Sequence, residues 1–199
     1  MVSVMVILDK SLPYIDIIMK RTAGSFVPLR PLPEGYRFAM YAAGDERDWA
    51  RIETSVAEFD SETQALEYFS KEFLPHPNEL PRRCTFIETD GGEKVATATA
   101  WFGENFGARV PLVHWVAVTP GHQGKGLGKP LVSNLINLMR ELEGDTDFYL
   151  HTQTWSHKAL FIYEWAGFRM VSETGALGCA NRDYDRAVEI INGLRGCKA

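Results

Sequence analysis

The stretch VHWVAVTPGHQGKGLGKPL, Val113–Leu131, constrains the fold more than any other part of the chain. A nearly all-apolar run, Leu112–Val118, stops at Thr119-Pro120 and passes through Gly121, Gly124, Gly126 and Gly128. It resumes with Leu127, Leu131, Leu135, Leu138, Met139 and Leu142 at helical spacing, ending at Gly144. An apolar run without polar alternation reads as a strand covered on both faces, hence a central one. A glycine turn between such a strand and a helix leaves main-chain N–H groups uncovered at the helix N-terminus, where an anion is stabilised.

Two familiar uses of such a turn fail on named positions. A GxxxxGK[ST] phosphate loop would need a glycine where Gln123 stands and a hydroxyl where Pro130 stands. A GxGxxG dinucleotide turn does not fit Gly124, Gly126 and Gly128, which give GxGxG on a late strand. A third form, Q/R-x-x-G-x-G/A, is met by Gln123, Gly126 and Gly128. Its small residues let the backbone approach a pyrophosphate, and Lys125 and Lys129 add positive charge. Pro130 has no N–H and is tolerated only near a helix start. Either the helix begins near Gly128, or the carbonyl of Gly126 lacks its usual partner.

The remaining pattern is that of a layered α/β protein. Residues 1–35, with the proline-rich connector Pro28–Gly35, read as an N-terminal extension, and residues 36–199 as the compact domain. Tyr36–Tyr41 reads as a strand. Trp49, Ile52, Val56 and Phe59 mark one face of a helix opened by Gly44-Asp45. Ser61 begins a capping box for a second helix, which Pro75 stops. His76–Pro81 reads as a loop, and Asp90–Glu93 as a hairpin turn. Phe148–Thr154 is a strand, Ser156 caps a helix that ends before Gly167, and Phe168–Val171 resumes a strand. Tyr184, Ala187, Val188, Ile191 and Leu194 mark a terminal amphipathic helix.

A net charge of -5 argues against a nucleic-acid partner. Three widely spaced cysteines, Cys84, Cys179 and Cys197, fit reduced thiols and no metal site. Val4–Leu8 is too short for a signal-peptide core, and no stretch is long enough to span a bilayer. A cytoplasmic protein without membrane association is expected.

The segments VAVTPGHQGKGLG and SHKALFIYEWAGF resemble the two signature segments of the GNAT superfamily of acyl-CoA-dependent N-acetyltransferases. The resemblance is firm from Leu112 to Phe168. It implies a mixed, mostly antiparallel sheet with a central splayed pair of parallel strands, helices on both faces, and acetyl-CoA in the gap. By position, the main chain of Val116, Ala117 and Val118 would pair with the pantetheine amides. The turn of Gln123, Gly124, Lys125, Gly126, Leu127, Gly128 and Lys129 would hold the pyrophosphate. Ser156 stands where many members have an asparagine that contacts the CoA arm, and serine is shorter. Tyr163 matches a tyrosine often placed beside the CoA sulfur.

The implied reaction moves the acetyl group to a primary amine, on a small molecule or a protein, by direct transfer in a ternary complex. The attacking amine must be neutral, so a base is needed. Main-chain N–H groups near Val116 would polarise the carbonyl. Tyr163 is expected to protonate the departing thiolate. His151 and His114 are the candidate bases, with a glutamate or water as alternatives. His122 and His157 are expected at the solvated surface. Glu53, Glu58, Asp60 and Glu62 are either solvated helix charges or acidic walls suited to a cationic amine. Trp101, Phe102 and Trp155 either line the pocket or belong to the core. The alternatives to an enzyme are a non-catalytic acyl-CoA sensor and an interaction protein that docks through its ends. A homodimer is left open.

Overall fold

A computed structural model describes residues 8–26, 29–105, 108–173 and 181–196. Seven strands form one sheet in the order β2-β3-β4-β5-β6-β1-β7. They are β1 (Asp16–Arg21), β2 (Tyr36–Met40), β3 (Cys84–Thr89), β4 (Lys94–Asn105), β5 (Ala108–Val118), β6 (Phe148–Gln153) and β7 (Arg169–Met170). Every neighbouring pair is antiparallel except β5 and β6, which are parallel and lie inside the sheet. This is the mixed, mostly antiparallel sheet that the sequence led us to expect.

The helices are α1 (Glu46–Ser55), α2 (Glu62–Glu72), α3 (Leu80–Arg83), α4 (Gly128–Glu143), α5 (His157–Trp165) and α6 (Tyr184–Gly196). They flank the sheet and close two cores. Leu131, Leu135 and Met139 of α4, Leu160 of α5 and Ile191 of α6 pack with Ile17, Met19, Ile87, Val113 and Leu150 of the strands. Trp49 and Ile52 of α1 and Phe69 of α2 pack with Phe86, Trp101 and Ala117. Neighbours such as Phe86 and Ile87 go to opposite cores, as the two-residue period of a strand requires.

Strand β1 changes how residues 1–35 are understood. The segment set apart as an extension contributes an interior strand, laddered to β6 from Asp16/Gln153 to Arg21/Phe148 and to β7 at Met19/Met170 and Lys20/Arg169. Ile17, Ile18 and Met19 are all buried. The connector then passes over the glycine turn, with Leu32 against the core and Pro33 3.8 Å from where a Cβ on Gly126 would lie.

Local signals act where they were read, with four adjustments, the first being that α1 ends at Ser55, so Phe59, expected on its apolar face, lies beyond it. Ser61 caps α2 through Gln64 N–H, and Gly144 and Gly167 end α4 and α5 with positive φ. The expected loop at His76–Pro81 closes into the single turn of α3. β5 starts at Ala108, ahead of the apolar run. Ser156 holds the cap position of α5 without a side-chain capping bond, because a 3-10 turn, Thr154–Ser156, leads directly into the helix.

Candidate active site

The parallel pair is short. β5 and β6 are laddered at Leu112/Tyr149 and Val113/Leu150, and past those residues each strand keeps a partner on one side only. β5 stays on β4 through Thr97/Ala117 and Ala96/Val118. β6 stays on β1 through Ile18/His151, Ile17/Thr152 and Asp16/Gln153. A wedge therefore opens in mid-sheet, edged along Val116, Ala117 and Val118 by main chain without a strand partner on the β6 side. Such an edge accepts a ligand with amide groups as a strand accepts its neighbour. His114 and His151 are the next positions after the last pair and stand together at the apex of the wedge.

A bulge adjoins the apex. The ladder runs Thr97/Ala117 and then Thr99/His114, so Trp115 and Val116 together oppose Ala98. Trp115 takes φ of +48°, a strained left-handed conformation for a bulky residue. Its ring is held by Phe59 and Tyr68, each at 5.0 Å, and by Trp49 at 5.5 Å. The bulge turns the backbone at Val116 out of the regular ladder and re-aims its polar groups.

The glycine turn follows. Gly124 and Gly126 have φ of +75° and +84°. Gln123 Nε2 donates to the carbonyl of Val118 at 2.8 Å, tying the turn to the end of β5. Leu127 is buried in the core, while Lys125 and Lys129 are exposed, with Lys129 Nζ 5.1 Å over the Trp165 ring. A Cβ on Gly128 would come within 2.8 Å of Ile162 Cδ1, the end of its side chain, so glycine lets α4 start this close to α5 without displacing it. The helix begins at Gly128, which puts Pro130 in its first turn, where no N–H is needed.

The far wall comes from the N-terminal segment and the ends of α1 and α5. Trp155 Nε1 donates to the carbonyl of Leu12 at 2.7 Å, and Ile15 N–H to Thr154 Oγ1 at 3.1 Å. Asp16 Oδ1 lies 3.3 Å from His151 Nε2. The Asp16 carboxylate is close enough to orient the His151 ring. Tyr163, on α5, is buried. Burial first, and then the charges of Glu58 and Glu53, push its phenol up, so it is protonated at neutral pH.

The four acidic residues part company. Asp60 and Glu62 are exposed, as solvated charges are. Glu53 is 1% exposed, and its Oε1 has no hydrogen-bond partner among the described residues. Burial, reinforced by Glu58, holds its carboxyl well above the usual range. Glu58 is partly buried and is raised by burial, against the opposing effects of a hydrogen bond with Gln153 and the charge of Lys10. A Schellman closure places it: Ala57 N–H bonds the Thr54 carbonyl, and Glu58 N–H the Glu53 carbonyl, with Ala57 at φ of +68°.

Several positions differ from expectation. His157 is buried rather than solvated, and His122 is half-buried, its Nδ1 3.2 Å from Thr119 Oγ1. Trp101 belongs to the core, while Phe102 and Trp155 are half-buried. Cys84 is buried, its thiol pushed up to about 12 by burial, and Cys179 and Cys197 lie outside the described residues. Among the described residues no group of three His, Cys, Asp or Glu is placed to hold a metal ion, and no helix is long and apolar enough to cross a membrane. Asp16, Tyr68 and Gln153 were missed. The run Ile15–Met19 carried a strand signal for Asp16, but nothing local announces its partner.

The model of the acetyltransferase (GNAT) family matches residues 46–168. The fold is similar to a GCN5-related N-acetyltransferase from Sphaerobacter thermophilus, with TM-score 0.62 and 21% identity over 78% of this chain and 48% of that one. It is similar to a GNAT-family acetyltransferase from Colwellia psychrerythraea, with TM-score 0.59 and 13% identity over 80% and 55%. The spermidine N-acetyltransferase from Vibrio cholerae, in complex with CoA and spermine, gives TM-score 0.50 and 19% identity over 68% and 81%. At these identities the likeness is one of fold. This chain spans about half the length of the first two. No curated protein matches it.

Proposed function

The chain belongs to the GNAT acetyltransferase family, and from that premise we propose that it moves the acetyl group of acetyl-CoA to a primary amine by direct transfer in a ternary complex. The observation that carries this reading is the wedge between β5 and β6, with the glycine turn tied to the end of β5 at its mouth. The main chain of Val116, Ala117 and Val118 receives the amides of the donor's arm. The turn from Gln123 through Gly124, Lys125, Gly126, Leu127 and Gly128 to Lys129 receives its pyrophosphate. Ser156 stands at the start of α5. The fold neighbour from Vibrio cholerae, seen with CoA and spermine, supports a CoA donor and an amine acceptor.

In this reading His151 removes a proton from the acceptor's ammonium. The amine nitrogen then bonds the thioester carbonyl carbon, and main-chain N–H groups at the bulge stabilise the negative oxygen. The C–S bond breaks as the carbonyl re-forms, Tyr163 gives the departing sulfur its proton, and the second proton released from the acylated nitrogen returns through solvent to the tyrosinate, while His151 passes the first to solvent. His114 is the weaker base, since burial pushes its imidazole down to about 4.

The test is thiol release from acetyl-CoA in the presence of a panel of primary amines. Amine-dependent release is expected. Acetyl-CoA binding without transfer to any amine would overturn the reading in favour of a sensor.

A further inference from the structure

The side of the site where the ends of α1 and β6 meet carries two features that the acetyl-transfer chemistry does not use. One is the corner formed by Glu53 and Glu58. Glu53 is almost wholly inside the protein with a carboxylate oxygen unpartnered among the described residues; its charge bears on Tyr163 and Tyr68, and the charge of Glu58 bears on it. A buried carboxyl left this way is costly unless a cation arrives or the group stays protonated. The other is a group of partly exposed rings beside that corner. Phe59 and Trp115 are stacked with centroids 5.0 Å apart, Tyr68 is 5.0 Å from Trp115 and 5.6 Å from Phe59, and Phe59 directly follows Glu58. Carboxylates backed by aromatic faces are the surroundings that favour an ammonium group.

We propose that Glu58, with Glu53 behind it and the Phe59–Tyr68–Trp115 rings beside it, binds a positive charge of the acceptor other than the reacting nitrogen, so that the preferred acceptor is a diamine or a longer polycation. This rests on the acetyl-transfer reading for the side on which the acceptor enters. Glu58 is the contact, because it is partly exposed and Glu53 is not. The groups whose charge reaches Glu58 or responds to it are Glu53, Tyr14, Tyr163 and Lys10. Lys10 is an exposed lysine held 5.5 Å over the Trp155 ring. Gln153, hydrogen-bonded to Glu58, fixes the carboxylate to the end of β6. Binding by this corner also neutralises a charge that opposes ionisation of Tyr163, which ties recognition of the acceptor to protonation of the leaving sulfur.

The experiment is calorimetric titration of the full chain, with and without CoA, using 1,4-diaminobutane and n-butylamine, followed by thiol release with both amines. The diamine is expected to bind at least about tenfold more tightly than the monoamine. Glu58→Gln should remove that preference at unchanged melting temperature, and Asp60→Asn, an exposed control, should keep it. Equal affinities in the wild type, or a preference that survives Glu58→Gln, overturn the inference. Transfer to both amines without discrimination overturns it while leaving the acetyl-transfer reading intact. Discrimination in binding without thiol release supports the corner and overturns the transfer reading instead.

Discussion

The Tyr68 hydroxyl lies 3.2 Å from His114 Nε2 and also 3.2 Å from the indole nitrogen of Trp115. An indole nitrogen only donates, so the Tyr68 oxygen accepts from Trp115 and its single hydrogen is available to His114 Nε2. That pairing suits a neutral His114 ring. Desolvation, with the nearby His151, pushes the imidazole down to about 4. Because the folded value lies below the ordinary 6.5, the unfolded chain binds the extra proton between these limits, and stability falls as the pH drops from about 6.5 toward 4. The loss is at most about 3 kcal/mol. Melting temperatures measured across that range should fall steeply in the wild type and less in His114→Gln, whose carbonyl still accepts from Tyr68.

His151 and Tyr163 should separate from each other and from binding. His151→Ala should lower turnover by about 10²–10⁴-fold at neutral pH. Asp16→Asn, which keeps the strand pairing and weakens the contact to Nε2, should cost less. Tyr163→Phe should cut turnover strongly with little change in acetyl-CoA affinity. Steady-state kinetics over pH, paired with donor binding, reads all three variants, and a full-speed Tyr163→Phe enzyme would remove the acid from the mechanism.

Gly128 is the tightest point of the glycine turn. An added Cβ meets Ile162 Cδ1 at 2.8 Å, but that atom is the end of a side chain that has some freedom to move. Gly128→Ala should therefore destabilise the fold by only about 1 kcal/mol, while weakening acetyl-CoA binding because α4 and its first N–H groups shift. Ile162→Val deletes the clashing carbon, and the double variant should recover both properties. Thermal melts and donor titration on the two single variants and the pair form the required cycle.

What could be read in advance followed the range of the interactions concerned. The glycine turn, the cap at Ser61 and the apolar face of α4 are local, and each is visible within a few residues. The adjacency of His114 and His151 depends on the parallel register Val113/Leu150, which no local pattern specifies. Strand β1 is joined to β6 across more than half of the chain, so the run Ile15–Met19 could be seen as apolar but not assigned a partner. Glu53 did leave a trace. It lies one helical turn after Trp49, on the buried face of α1, which sets it apart from the exposed Asp60 and Glu62.

The same burial gives Glu53 a signature opposite to that of His114. Its carboxyl is held well above the ordinary 4.5 because water is excluded and Glu58 adds like charge. A folded value above the unfolded one means that the native state binds the extra proton, so stability is greatest below about 4.5 and declines as the pH rises toward the folded value. Replacing the carboxyl by an amide of the same shape removes the ionisation. Glu53→Gln should therefore raise the melting temperature at pH 8 and leave it nearly unchanged at pH 5. A diamine that binds at Glu58 should do the same to the wild type at pH 8, since it supplies the missing positive charge, and should raise Glu53→Gln by a smaller amount, because that variant keeps the Glu58 contact but has no buried charge left to offset. Melts of both proteins at the two pH values, with and without 1,4-diaminobutane, check this. An equal effect of the amide at both pH values would mean that the buried carboxyl never ionises in the folded chain, and the corner would then act through Glu58 alone.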